Sequence, residues 1–289
     1  MKKTFAIIYL LLGLAFLYIT YQKYTPGSGS VAAEVHSKPD REQQELMAFW
    51  DDYNQATERR IAGDYDSAAR YYRQALDIKP AHLNSLYYMG NMQLELAHFD
   101  KAESHWVKLI ERNDASARGY IQLGNLYGCQ SAGTDFYNLA RARRHFDKAL
   151  VLNPEVSGPL LQIAKIELIQ GRMKEAARHL REVLKSNFRS TEAFFLQGFI
   201  AWKHDDLSSA RHLLEQSKII LTDGDEKYAN VGEGQSGSVE SAVSSPVPRC
   251  DLLRDEIHQL IQRYAAGPSF TAYGIYGDFE ERLARFPSH

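Results

Sequence analysis

Cysteine is scarce in this sequence, and so is an excess of charge of either sign. The 289-residue chain has two cysteines, too few for a metal cage of cysteine alone or for a disulfide framework. Its 34 Lys and Arg residues nearly balance 36 Asp and Glu residues, which leaves a net charge of −2. A chain so close to neutral is not expected to bind nucleic acid through bulk electrostatic attraction.

Motifs of catalysis are also absent from the sequence. It contains no Walker phosphate loop, no G-x-S-x-G nucleophile elbow, no H-E-x-x-H zinc motif and no C-x-x-C pair. Nothing in the pattern places a nucleophile beside a base. We therefore expect a protein that is not an enzyme and that uses no cofactor and no metal.

A long apolar run stands near the amino terminus, from Thr4 to Gln22. It carries no charge and follows Lys2 and Lys3. As a helix it would span about 28 Å, close to the hydrocarbon core of a bilayer. We expect residues 1–24 to form one uncleaved membrane anchor. The alternative is a cleaved signal peptide, whose apolar region is normally shorter.

Positive charge before the apolar run predicts the orientation of the anchor. It favours a cytoplasmic amino end, which would place the rest of the chain on the periplasmic side of a bacterial inner membrane. Residues 25–40 are small and polar and predict a flexible linker between the anchor and a folded body.

Residues 41–222 repeat an amphipathic helical pattern about five times. A small residue recurs in the second helix of each unit at steps of 34, 40, 34 and 34 residues, and another recurs in the helix before it. Small residues at fixed places let two helices cross closely. The predicted crossing residues are Ala56, Gly90, Gly124, Ala164 and Gly198 in the first helices, and Ala68, Ala102, Ala142, Ala176 and Ala210 in the second helices.

The pattern resembles the tetratricopeptide repeat, a 34-residue pair of antiparallel helices. The second unit carries the resemblance in Leu86, Gly90, Phe99, Ala102 and Trp106. The third unit is longer, and its extra residues in Gly128 to Asn138 predict a lengthened loop. The resemblance implies an all-α fold. We expect a right-handed superhelix of about five helix-turn-helix repeats, preceded by one transmembrane helix and followed by a C-terminal helix.

The sequence beyond the repeats has two parts. Residues 223–249 are rich in Gly and Ser and predict a disordered linker. Residues 250–289 predict an amphipathic helix over Asp251 to Ala265 and a tail that contains several aromatic residues. The helix either caps the last repeat or occupies the protein's own groove. Cys129 and Cys250 form a candidate disulfide if the domain lies in an oxidising compartment.

The resemblance also implies a binding surface on the concave side, which the first helix of each pair lines. The candidate partner-binding residues are Tyr87, Asn91, Ile121, Asn125, Leu161, Lys165, Phe195, Phe199 and Trp202. Asn91 and Asn125 offer a donor and an acceptor for a peptide backbone, and Phe199 and Trp202 would be anchors. The alternative for the aromatic residues is burial between helices or beneath the C-terminal helix.

Three histidines, His105, His145 and His179, recur at one place in successive second helices. Stacked helices lie about 10 Å apart, too far for a shared metal ion, so we expect solvated side chains.

The sequence as a whole predicts a membrane-anchored scaffold or adaptor for a protein or peptide partner, active in envelope assembly, secretion or cytochrome maturation. The alternative is an accessory subunit that helps a distinct enzyme to handle its substrate.

Overall fold

The computed structural model of the protein describes residues 40–129, 136–229, 252–267 and 270–288. The chain divides into two units, residues 1–47 and residues 48–289. The expected anchor, all but the last residue of the linker after it, residues 230–249 and Cys250 lie outside the described residues. Within the described ranges, no helix combines the length and the apolar character needed to cross a membrane.

Twelve α-helices make up the regular structure of the described residues, and the first ten form five consecutive pairs. Their bounds are α1 Arg41–Ile61 and α2 Tyr65–Ile78, α3 Leu83–Glu95 and α4 Phe99–Arg112, α5 Ala117–Gly128 and α6 Leu139–Leu152, α7 Ser157–Ile169 and α8 Met173–Ser186, α9 Thr191–Lys203 and α10 Leu207–Ala229. From α2 to α10, each helix packs against the next one along the chain. The expected helix-turn-helix repeats are therefore present.

The turn within a pair uses a left-handed backbone residue at a repeating position. Gly63 and Gly171 take this conformation with φ of 76° and 73°. Ala97 and Asp205 stand at the matching places of other pairs and take it with φ of 57° and 59°. Glycine adopts such angles without steric cost, whereas a residue with a Cβ does so at some cost. The second helix therefore begins at a defined point after the first.

The small residues of the repeat lie where neighbouring side chains need space. All ten predicted crossing residues are buried. A Cβ on Gly90 would clash with the indole ring of Trp106, and a Cβ on Gly124 would come within 2.6 Å of Phe146. Trp106 also donates a hydrogen bond from Nε1 to the Tyr87 carbonyl oxygen at 3.3 Å. The glycines therefore let a large ring of the second helix reach the first.

The C-terminal region differs from the expectation in two respects. Helix α10 continues to Ala229, beyond the boundary expected at residue 222, so the segment 223–229 is helical rather than linker. After α11, Arg254–Ala265, the tail forms a second helix, α12, Ala272–Leu283. Both helices pack against the last pair. Two glycines within α12, Gly274 and Gly277, weaken its helical signal in the sequence because glycine is a poor helix former.

The same substitution at two glycines tests this packing. Gly90→Ala adds a methyl group against the Trp106 ring, and we expect it to lower the free energy of unfolding by about 1–3 kcal/mol, as overpacking does. Gly277→Ala in α12 meets no atom within 4 Å, and we expect a gain of about 0.5–1 kcal/mol from helix propensity. Urea unfolding measures both values. Equal effects of the two variants would contradict the proposed role of Gly90.

Candidate partner-binding groove

The nine predicted groove residues separate into two groups in the structure. Tyr87 and Asn91 on α3, and Ile121 and Asn125 on α5, are partly exposed. Lys165 on α7 and Phe195 and Phe199 on α9 are buried, whereas Leu161 and Trp202 are partly buried against the core. The first helices therefore offer an accessible surface in the second and third pairs and a covered one in the fourth and fifth.

The chain's own helix α12 covers the aromatic residues of α9. The ring of Phe279 packs edge-on against Phe195 and Phe199, with centroids 5.1 and 4.9 Å apart. Trp202 packs edge-on against Tyr273 at 5.6 Å. The expectations of Phe199 as an anchor and of Phe195 as a groove residue are therefore corrected, because both rings belong to the core. Trp202 is also engaged by α12, whereas the alternative interpretation expected burial between helices or beneath a helix over Asp251 to Ala265.

Tyr276 connects α12 to the last helix pair. Its ring fills the space that Gly198 leaves open, and its hydroxyl donates a hydrogen bond to the Ala210 carbonyl oxygen at 3.2 Å. The side chain is fully buried, and burial strongly raises the pKa of its hydroxyl. Gly198 therefore accommodates the C-terminal segment, and not only the crossing of α9 with α10.

The residues after α12 extend this cover toward the third pair. The Tyr137 hydroxyl, just before α6, donates to the Pro287 carbonyl oxygen at 2.8 Å. Gln170, at the end of α7, donates from Nε2 to the Ser288 carbonyl oxygen at 3.3 Å. Just before α11, Leu252 packs against Gly128 at the end of α5. The C-terminal segment thus contacts the third, fourth and fifth pairs.

Lys165 is a buried ion-pair partner rather than a ligand-binding group. Its side chain has no exposed surface, and its ammonium group pairs with Glu192 on α9. Glu192 Oε1 in turn lies 3.9 Å from Nε2 of His258 on α11. Burial, helped by Arg254 and Lys165, holds the pKa of His258 below its ordinary value, although Glu192 opposes this shift. These side chains therefore join α7, α9 and the C-terminal segment.

In the accessible group, the Tyr87 ring is held by neighbours on α5. The Arg118 guanidinium stacks over the ring, 4.6 Å from its centroid. Gln122 Nε2 donates to the Tyr87 hydroxyl at 3.1 Å, and Arg118 also donates to the side chain of Asn84. Because these contacts join α3 to α5, the ring has a fixed orientation before any partner binds. Such preorganisation lowers the entropy lost on binding.

Two polar atoms in this region lack a partner. Asn91 Oδ1 and Arg60 Nε are buried, and neither has a hydrogen bond within the described part of the chain. The Arg60 guanidinium lies 4.5 Å from the ring centroid of Tyr88, one turn before Asn91 on α3. An unpaired buried polar group costs about 1–3 kcal/mol. One acceptor and one donor therefore lack a partner beside Tyr88, and neither atom has exposed surface.

Sequence reasoning missed several of these residues, although the repeat period contains the signal. A step of 34 residues back from Tyr87 leads to Tyr53, whose ring packs against Tyr72 at 5.8 Å. The same step back from Arg118 leads to Asn84, and one more leads to Trp50, whose surface is 46% exposed. Applying the register to polar and aromatic positions would have extended the predicted groove to α1.

The three recurring histidines are partly buried rather than solvated. His145 stacks on the Tyr127 ring at 5.3 Å. His179 Nδ1 lies 2.7 Å from Glu167 Oε2, and Arg143 donates to the other oxygen of that carboxylate at 2.9 Å. The expectation is corrected because His145 and His179 pack against the first helix of their own pair, α5 and α7. Among the described residues, no cluster of three or more His, Cys, Asp or Glu side chains is arranged to hold a metal ion.

Cys129, the residue after α5, is buried and disulfide-bonded. The second cysteine of the sequence, Cys250, lies outside the described residues. The pairing of these two cysteines stays a prediction.

Comparison with solved structures identifies the fold. No family model and no curated protein sequence matches the chain. The pilF protein of Pseudomonas aeruginosa superposes with a TM-score of 0.52 at 16% identity, over 83% of this chain and 94% of that chain. PilW, described as a widely conserved type IV pilus biogenesis factor, gives 0.51 at 19% identity, over 62% and 79%.

A third similar structure is MamA from Desulfovibrio magneticus RS-1, residues 41 to the end. It gives a TM-score of 0.51 at 12% identity, over 62% of this chain and 97% of that chain. These structures are built from tetratricopeptide repeats. The chain therefore has the tetratricopeptide-repeat fold that its sequence pattern predicts.

Proposed function

We propose that this protein is an interaction scaffold that binds an extended peptide segment of a partner protein along α1, α3 and α5. The observation that carries the proposal is the division of the first helices. Their surface is accessible at Tyr87, Asn91, Ile121 and Asn125 and is covered by the chain's own C-terminal segment at Phe195 and Phe199. A partner would therefore bind at the first three pairs.

The chemistry of the accessible surface fits a peptide backbone. Asn91 and Asn125 stand at matching positions on α3 and α5, one repeat apart. A side-chain amide has both a donor and an acceptor, and because Asn91 Oδ1 is buried, Asn91 would contribute its donor. Three neighbouring helices at about 8–10 Å spacing cover about 20 Å. This length holds about six residues of extended peptide at about 3.3 Å each. The Tyr87 ring and the stacked Arg118 would pack against its side chains.

The C-terminal segment sets the limit of this groove because it is part of the core. Ile257, Tyr276 and Phe279 are fully buried. Removing three such side chains from the core would cost several kcal/mol, since each one contributes about 1.5–3 kcal/mol by burial. A peptide that gains a typical few kcal/mol from its anchors would not displace the segment. We therefore propose a permanent cap rather than a competing ligand.

Photo-crosslinking tests this location of the groove. A benzoylphenylalanine at position 121 should capture a defined partner in intact cells, and Asn91→Ala with Asn125→Ala should reduce that capture roughly 10-fold or more, because two backbone contacts of about 1 kcal/mol each are lost. Trp202→Ala should leave the capture unchanged, since α12 already engages this ring.

The control photo-probe stands at Val151, which is 78% exposed on a second helix. It should not capture the same partner. Equal capture from positions 121 and 151, or loss of capture in Trp202→Ala but not in the double asparagine variant, would contradict the proposed groove.

We also propose that residues 1–24 anchor the scaffold in a bacterial inner membrane with the repeats in the periplasm, where it would serve envelope assembly. Support comes from the uncharged run after Lys2 and Lys3, from the disulfide at Cys129, and from the likeness to a pilus biogenesis factor. A reporter enzyme that is active only in the periplasm, fused after His289, should be active. Activity of a cytoplasm-dependent reporter alone in that place would overturn this topology.

A further inference from the structure

A second concave site lies on the side of α3 that faces away from the groove. At 100° per residue, Leu86, Met89 and Gln93 share one face of this helix, and Tyr87 and Asn91 share the opposite face. The first face forms the floor of a cleft of about 260 Å³ between α2 and α4. The cleft is thus separated from the proposed peptide groove by the width of a helix.

The floor of the cleft contains a buried side-chain amide, Gln93, whose donor has only a weak hydrogen-bond acceptor. Gln93 is 2% exposed. Its Oε1 lies 3.0 Å from Nδ1 of His98, but its Nε2 donor has as its partner the thioether sulfur of Met89 at 3.9 Å. A thioether is a weak acceptor, so this donor is poorly satisfied. Leu86 and Met89 beside it supply an apolar surface.

The wall of the cleft contains a second polar group whose hydrogen-bonding capacity is not satisfied. Nδ1 of His105 is buried and has no hydrogen-bond partner among the described residues. Burial, with Lys108 and Arg73 nearby, lowers the pKa of His105 to about 4. The ring is therefore neutral at pH 7, and one of its nitrogens can donate a hydrogen bond while the other accepts.

The rim of the cleft is positively charged. Arg73 on α2 and Lys101 and Lys108 on α4 line it and are exposed, and none of the three forms an ion pair with a described residue. Asp77 is the one acidic side chain among the lining residues. Three cations against one anion make the cleft complementary to negative charge.

We propose that this cleft binds an acidic side chain of a partner protein, a glutamate flanked by apolar residues, as a contact separate from the peptide groove. The carboxylate would lie between Lys101, Lys108 and Arg73 and would accept a hydrogen bond from Gln93 or His105. The neighbouring apolar side chain would pack on Leu86 and Met89. A charge-assisted bond to a carboxylate is about twice as strong as a neutral one, which favours glutamate over glutamine.

Two blocked tripeptides test this site on the full chain. Acetyl-Leu-Glu-Leu-amide should bind at least 10-fold more tightly than acetyl-Leu-Gln-Leu-amide, as measured by NMR titration of the His105 ring signals. The bound carboxylate should also raise the pKa of His105, because a nearby negative charge favours the imidazolium form. The glutamine peptide should leave that pKa unchanged.

Matched charge variants separate this cleft from a general electrostatic effect. Lys101→Gln with Lys108→Gln should weaken binding of the glutamate peptide at least 10-fold. Lys174→Gln with Arg181→Gln removes the same charge from exposed positions of α8 and should change binding less than 2-fold. Equal binding of the two peptides, equal losses in the two variant pairs, no saturable binding, or binding without a shift in the His105 pKa would each overturn the proposal.

Discussion

The packing of α12 against α9 is the contact on which the rest of the arrangement depends. Helix α9 carries apolar or aromatic side chains on nearly every side, and such a helix is stable only when it is covered on all of them. Helix α10, its partner in the pair, and helix α8 of the preceding pair cover two sides. Phe279 and Tyr276 cover the remaining side, where Phe195 and Phe199 would otherwise face water. Without this cover, a large aromatic patch would be exposed.

This cover explains why the two ends of the repeat array differ. In α3 and α5, the corresponding face carries Tyr87, Asn91, Ile121 and Asn125, a mixture that water tolerates. In α7 and α9, it carries Lys165, which pairs with Glu192, and two phenylalanines, which Phe279 of the C-terminal segment covers. The chain thus uses one end of the array for its own core and leaves the other available to a partner.

Much of the fold follows from the spacing of small residues alone. Steps of 34 residues between Ala68, Ala102 and their equivalents predict paired helices, and the structure contains them with the extra residues of the third unit between α5 and α6. This spacing can be recognised in the sequence because every repeat buries the same positions. The end of α10 at Ala229 could not be predicted from the sequence, because Asp223, Gly224 and Asp225 favour a break over a helix.

The candidate site was less predictable, because register assigns a residue to a face but does not reveal what covers that face. Phe199 and Asn125 occupy the same type of helix, yet the first is core and the second is accessible. A signal existed in the composition of the first helices. Those of the fourth and fifth pairs, SGPLLQIAKIELI and TEAFFLQGFIAWK, are apolar on almost every side, whereas α3 and α5 carry more polar residues. The contrast indicates that α7 and α9, unlike α3 and α5, need an additional segment to cover them.

Amide hydrogen exchange of the native full chain tests most directly whether the C-terminal segment is part of the core. If it is, the amides of Phe199 in α9, Ile261 in α11 and Phe279 in α12 should exchange through one opening reaction with a common free energy, since cooperative units open together. Protection at Phe199 together with rapid exchange at Ile261 and Phe279, within about 1 kcal/mol of an unprotected amide, would contradict it. In that case the groove would extend over all five pairs.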